Sequence, residues 1–178
     1  MSSKIYDVLE WRVSTVYNLW DIVKRTADTP KPTEVYYYCR IPHTSDAVSF
    51  DATKWGGRST WNNAYYKPEF IWMPNYNSSM DFEPKVKSIK MGDGYEQRTP
   101  DGINNSLLKF NLNFNGRPLH EATAIIHFLK VRGGAESFVF TPYAPFGKTK
   151  LFKCPNYSVN FEFFNNYAIS AVFEEVVN

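Results

Sequence analysis

Leu108-Lys-Phe-Asn-Leu-Asn-Phe-Asn-Gly-Arg-Pro-Leu-His-Glu-Ala-Thr-Ala-Ile-Ile-His-Phe-Leu129 holds the decision about the fold. In its first half Leu108, Phe110, Leu112 and Phe114 alternate with Lys109, Asn111 and Asn113, the period-2 pattern of a strand with one buried and one wet face. After Asn115-Gly-Arg-Pro118 the period changes. Leu119, Ala122, Ile125, Ile126 and Leu129 recur at helical spacing, Pro118 suits a first turn and Gly133-Gly134 a stop. Outward from this unit, Ser137–Thr141, Lys150–Cys154, Tyr157–Phe164 and Tyr167–Phe173 read as strands, the last two joined by a tight turn at Asn165-Asn166. Gly92-Asp93-Gly94, between Lys85–Ile89 and Tyr95–Arg98, reads as a hairpin tip rather than a phosphate loop, for it lacks the Lys-Ser/Thr ending and no helix follows. The expectation is a mainly β protein with one α-helix.

Aromatic usage divides the chain. All five tryptophans lie within the first 72 residues, and all but one of the 14 phenylalanines lie from Phe70 onward, where, largely alternating in strands, they are expected to build the core. This places a boundary near residues 66–76, read as an extended linker, between a small Trp-rich all-β domain (1–68) and a second domain (69–178). In the first domain Trp11–Val16, Val35–Arg40 and, less regularly, Trp20–Lys24 are the expected strands.

Composition narrows the functional classes. The chain of 178 residues has 20 basic and 18 acidic residues, a balance that predicts no nucleic-acid partner. No apolar run reaches the length of a membrane span and the N-terminus lacks a signal-peptide pattern, which predicts no membrane partner and assembly in the cytoplasm. Cys39 and Cys154 form no CxxC pattern and read as reduced thiols, so no metal or other cofactor is expected. No catalytic residues are assigned. His43 beside Ser45 lacks the context of a triad, His120 and His127 are two helical turns apart, and the acidic pairs Asp81/Glu83 and Glu174/Glu175 read as solvated charges.

Val86-Lys-Ser-Ile-Lys-Met-Gly-Asp-Gly-Tyr-Glu-Gln-Arg98, Asp101-Gly-Ile-Asn-Asn105, Phe128-Leu129, Phe138-Val-Phe-Thr-Pro142, Lys153-Cys154 and Phe173-Glu-Glu-Val176, in this order, resemble the minor tail protein M family of lambda-type siphophages over about residues 70–177. The resemblance implies a tail-tube/distal-tail-like β-sandwich located in the virion, at the tail tip. It further implies a homo-oligomeric ring, a hexamer, joining the tail tube protein to the distal hub proteins. On that reading Gly92, Gly94 and Gly102 are turn residues, and Asp93, Tyr95, Gln97, Arg98, Asn104 and Asn105 hold loops or meet a neighbouring subunit. The apolar strand Leu107–Phe114 would serve as an interface.

Within residues 1–68, the spacing of Trp11, Tyr17, Asp21, Tyr37, Cys39, His43, Phe50 and Trp55 is similar to small chitin-binding-type modules, with Trp20 where glycine is usual and a long Thr26–Thr33 loop as departures. That resemblance implies a host-surface glycan as a partner. Trp55, Trp61, Tyr36 and Tyr38 would stack on sugar faces, with Asn62 and Asn63 as hydrogen-bonding groups. Trp11, Tyr17, Trp20 and Tyr37 read instead as core, and for Trp55 and Trp61 core and binding face stand equal.

Overall fold

The computed structural model describes residues 8–25, 35–59 and 67–177. A five-stranded antiparallel sheet carries the fold, in the order β13-β14-β15-β12-β9. These strands are β9 (Ser79–Phe82), β12 (Leu108–Arg117), β13 (Phe138–Phe140), β14 (Lys150–Phe163) and β15 (Asn166–Glu175). Phe110 pairs with Phe173, Leu112 with Ala171 and Phe114 with Ile169, so the apolar half of each alternation lands on one face. Asn111, Asn113 and Ser170 occupy the other, where Asn111 donates to Asp81 (2.8 Å) and Ser170 to Asn113 (3.0 Å). β12 is paired on both sides, so its backbone is spent within the subunit and it is not the interface strand that the sequence suggests.

The expected strands Lys150–Cys154 and Tyr157–Phe164 are one strand. Pro155 has no N–H for the ladder, and the register shift between Lys153 and Asn156 takes it up as a bulge. Helix α1 spans Leu119–Arg132, one turn longer than the apolar stripe, and ends where Gly133 adopts φ 55° and bonds Lys130 O. Pro118 offers its first turn no side-chain cap. Asn165, at φ 56° in the β14–β15 turn, supplies one from another part of the chain, its carboxamide oxygen accepting the Leu119 N–H at 2.8 Å.

A second sheet, β1-β3-β4-β6, is built from Leu9–Glu10, Ile22–Arg25 (β3), Val35–Cys39 (β4) and Trp55–Gly56. Between these lie β2 (Val16–Tyr17) with β5 (His43–Thr44), and after them β7 (Arg58–Ser59) with β8 (Lys67–Pro68). Of the expected strand Trp11–Val16 only Val16 lies in a strand, the rest being irregular with a turn at Val13-Ser14. Ser45 Oγ donates to Arg12 O (2.7 Å) and accepts from Thr15 N (3.0 Å), a side-chain bond that displaces the ladder.

Successive β4 residues face opposite ways. Tyr38, paired with Ile22, packs with Trp72 and Phe128 in the main core, whereas Tyr37 and Cys39, beside Val23, join Tyr17 and Trp55 in a smaller one. This second layer lies over α1, so the helix is buried on two sides. His127, outside the apolar stripe, is therefore 2% exposed and shares a 3.0 Å hydrogen bond with Tyr38 Oη. Gly57, at φ 102°, crosses so near Tyr38 that a Cβ would lie 2.7 Å from its ring.

The segment read as a linker is extended, but it is core. Phe70 (3% exposed) and Trp72 (1%) fill the space between sheet and helix. Phe70 meets the rings of Phe114, Phe128, Phe138, Phe140 and Phe173 edge-on or tilted, with centroids 5.0–6.0 Å apart. Its N–H bonds Val139 O (2.8 Å), while Glu69 N–H bonds Gly57 O (3.0 Å), so this short stretch tethers both sheets.

Burial, helped by the charges of Arg132 and Lys130, lowers the His127 pKa from 6.5 to about 4. Below pH 6.5 the unfolded chain binds a proton that the folded chain refuses until about pH 4. Stability should therefore fall across that window by up to about 3 kcal/mol from this group, and denaturant melts of His127→Gln should show a shallower fall. Burial also pushes the thiols of Cys39 and Cys154 up to about 11. Both should stay silent to a thiol reagent at neutral pH until the chain is denatured.

Candidate functional site

Two hairpins leave the packed body. The first joins β10 (Val86–Lys90) and β11 (Glu96–Pro100), in register from Val86↔Pro100 to Lys90↔Glu96. Gly92-Asp93-Gly94 forms its tip, with Asp93 at φ 64° and Gly94 at φ 80°, as the hairpin reading requires. Every residue from Phe82 to Asn104 is exposed, among them Val86, Ile89, Met91, Tyr95 and Ile103. Gln97 and Arg98 lie on β11. Arg98 donates to Glu96 at 2.8 Å and Ser88 donates to the same carboxylate, which together hold it below the usual range. At the root, Lys85 N–H bonds Asn105 O (2.8 Å) and Asp101 N–H bonds Lys85 O (2.9 Å), closed by Gly102 at φ 83°. The residues Gly92 to Asn105 singled out from the sequence thus form one projecting arm. Tyr95, at 79% exposure, and exposed Asn104 face solvent, while Asn105 is half-buried.

A two-stranded hairpin with no covered face is marginal by itself in water. Exposed apolar residues at its root (Val86), its middle (Ile89) and its tip (Met91, Tyr95) fit contact with another surface.

The second hairpin is the far end of β14 and β15. Phe161, Phe163 and Phe164 are 80%, 78% and 90% exposed there. Sequence reasoning counted these among the core-building phenylalanines. The signal against it was local: the doublet Phe163-Phe164 breaks the alternation just before the turn, where a ladder has no interior left to fill.

The proposed sugar platform is not assembled. Tyr38 is fully buried and Trp55 is 5% exposed, packed against Tyr17, His43 and Phe50, so neither offers a face to stack on. The pleat turns Tyr36 and Tyr38 toward the helix, where Tyr36 is half-buried against His127. Trp61, Asn62 and Asn63 lie outside the described residues.

No catalytic constellation emerges among the described residues. His43 donates from Nδ1 to Ile41 O (2.8 Å) while Ser45 is bonded to Arg12, so the two do not meet. Asp81, Glu83, Glu174 and Glu175 do line one cleft of about 560 Å³ at the root of the arm. There Glu175 is paired with Lys150 (2.6 Å), Glu174 with Lys153 (3.2 Å) and Asp81 with Asn111 (2.8 Å). The charges of Glu174 and Glu175 are thus committed to lysine partners on β14. No group of three His, Cys, Asp or Glu side chains is placed to hold a metal ion among the described residues, and none of their helices is long and apolar enough to cross a membrane.

Comparison with known proteins matches this body and its arms. Tail tip protein M of Escherichia phage lambda is 33% identical over 109 residues, which cover 61% of this chain and 97% of that protein. Tail tip protein M of Escherichia phage N15 is 40% identical over 68 residues, 38% of this chain and 56% of that protein. The phage minor tail protein family matches residues 68–177, from β8 through both hairpins to the end of β15, and the chain belongs to that family.

Proposed function

We propose that the chain is a structural component of a siphophage tail tip, in which copies form a ring between the tail tube and the distal hub. The observation that carries this reading is the pair of exposed apolar hairpins on a well-packed body. Chemistry at a single site would call for a concave, convergent set of groups, whereas these surfaces project outward from different parts of the sheet. Head-to-tail contacts between unlike surfaces of identical subunits close into rings when their rotation permits. Membership of the phage minor tail protein family and the names of the lambda and N15 relatives support placement at the tail tip. The N-terminal sheet, laid over α1, sits at the periphery of such a ring. A glycan-binding role for that part has no specific support in the geometry, because Tyr38 and Trp55 are core.

A density map of intact tails tests the ring reading: copies repeated about the tail axis are expected, and one copy per tail would overturn it. The arm is tested separately. Lys85 and Asp101 are already hydrogen-bonded, so residues 86–100 can be replaced by a Gly-Gly turn. Since the excised residues are exposed, thermal unfolding should change little. The variant should fold yet be missing from purified tails, and normal incorporation would remove the arm from the assembly surface.

A further inference from the structure

The tip of the β14–β15 hairpin is both apolar and rigidly held. At about 200 Å² for an aromatic side chain, the exposed parts of Phe161, Phe163 and Phe164 present roughly 500 Å². That is comparable to the largest apolar patch on a typical soluble monomer, about 300–600 Å², a patch that is often functional. Asn165, between them and Asn166, is fastened to the first turn of α1, so the tip is presented in one position rather than searching for one. Its one charge is Glu162, exposed and without an ion pair among the described residues.

An acceptor of complementary character lies elsewhere on the same sheet. Beside β9 and β12, where α1 does not reach, an apolar groove of about 250 Å³ is lined by Met80, Phe110, Tyr143 and Phe146, with Tyr76 stacked on Tyr143 at its rim. An apolar cavity of about 150 Å³ holds a benzene ring, so this groove has room for a phenyl group. Lys148, exposed two residues from Phe146, has no ion pair among the described residues. The groove is near the Phe173 level of the sheet and the tip is beyond Tyr167, roughly 25 Å away along the strands. A chain therefore cannot insert its tip into its own groove.

We propose that the Phe161–Phe164 tip of one copy seats in the Met80–Phe146 groove of the next, with Glu162 meeting Lys148 across the contact. The occupant is a second copy of this chain, and the inference rests on the ring reading above. Tip and groove are unlike surfaces at separate levels of one sheet, which makes the contact head-to-tail and lets each copy both give and receive. The tip supplies over half of the about 800 Å² per partner typical of a stable interface, the rest falling on the rim.

The test uses assembled tails carrying the full chain. Phe164→Cys with Tyr76→Cys, treated with a short bis-maleimide, should give a ladder of multiples of the 20.7 kDa chain, and neither single variant should. Phe163→Ser with Phe164→Ser should leave thermal unfolding unchanged and lower incorporation at least about tenfold, from the apolar burial lost. Glu162→Lys and Lys148→Glu should each reduce incorporation, and the double reversal should restore it. Normal incorporation of the serine variant, cross-links to another tail protein, or no rescue by double reversal would each overturn the contact. If copies still repeat about the axis, the ring stands and only this contact fails; one copy per tail removes both.

Discussion

The structure depends on Phe70 being where it is. A ring placed edge-on to the phenylalanines of β12, β13, β15 and α1 fills the volume where sheet, helix and entering chain meet. Removing a buried ring of this kind costs about 3–5 kcal/mol, a large share of a domain's net stability. Its backbone fixes the neighbours as firmly as its side chain does. Through Val139 it lines up the edge of the large sheet, and through Glu69 and Gly57 it brings the small sheet against the helix. Trp72, next on the same side of this extended segment, carries the contact on to Tyr38 and Trp20.

This packing explains the aromatic composition. β4 is covered on both faces, so Tyr36, Tyr37 and Tyr38 follow one another without a polar residue between them, as buried strands do. α1 lies between two layers and must satisfy a buried imidazole as well as apolar side chains. Of the large apolar residues left exposed, Val86, Ile89, Met91, Tyr95, Phe161, Phe163 and Phe164 lie on the two hairpins.

Much of this was legible in the sequence where the cause is local. The alternation of Leu108–Phe114, the helical stripe from Leu119, the glycine stop and the Asn165 turn each depend on neighbours a few residues away, and each holds. The resemblance in the second half was carried by the arm itself, through Gly92-Asp-Gly-Tyr-Glu-Gln-Arg98. What failed depended on distant partners. Pro155 lies within a strand because β15 tolerates a bulge. The tyrosine run looked like a platform because a written sequence does not show the pleat. The Phe161–Phe164 tip was misread for the opposite reason, since a phenylalanine is counted as core until the structure shows nothing above it.

Asn165 has a mechanical consequence. Its backbone forms the hairpin turn and its side chain holds the first N–H of α1, so the hairpin and the helix are joined by a cross-strut. A pull on the tip is transmitted along two ladders of hydrogen bonds and, through this one amide oxygen, into a helix clamped between two sheets. Load applied at the tip is thereby spread through the whole body instead of bending the hairpin at its root.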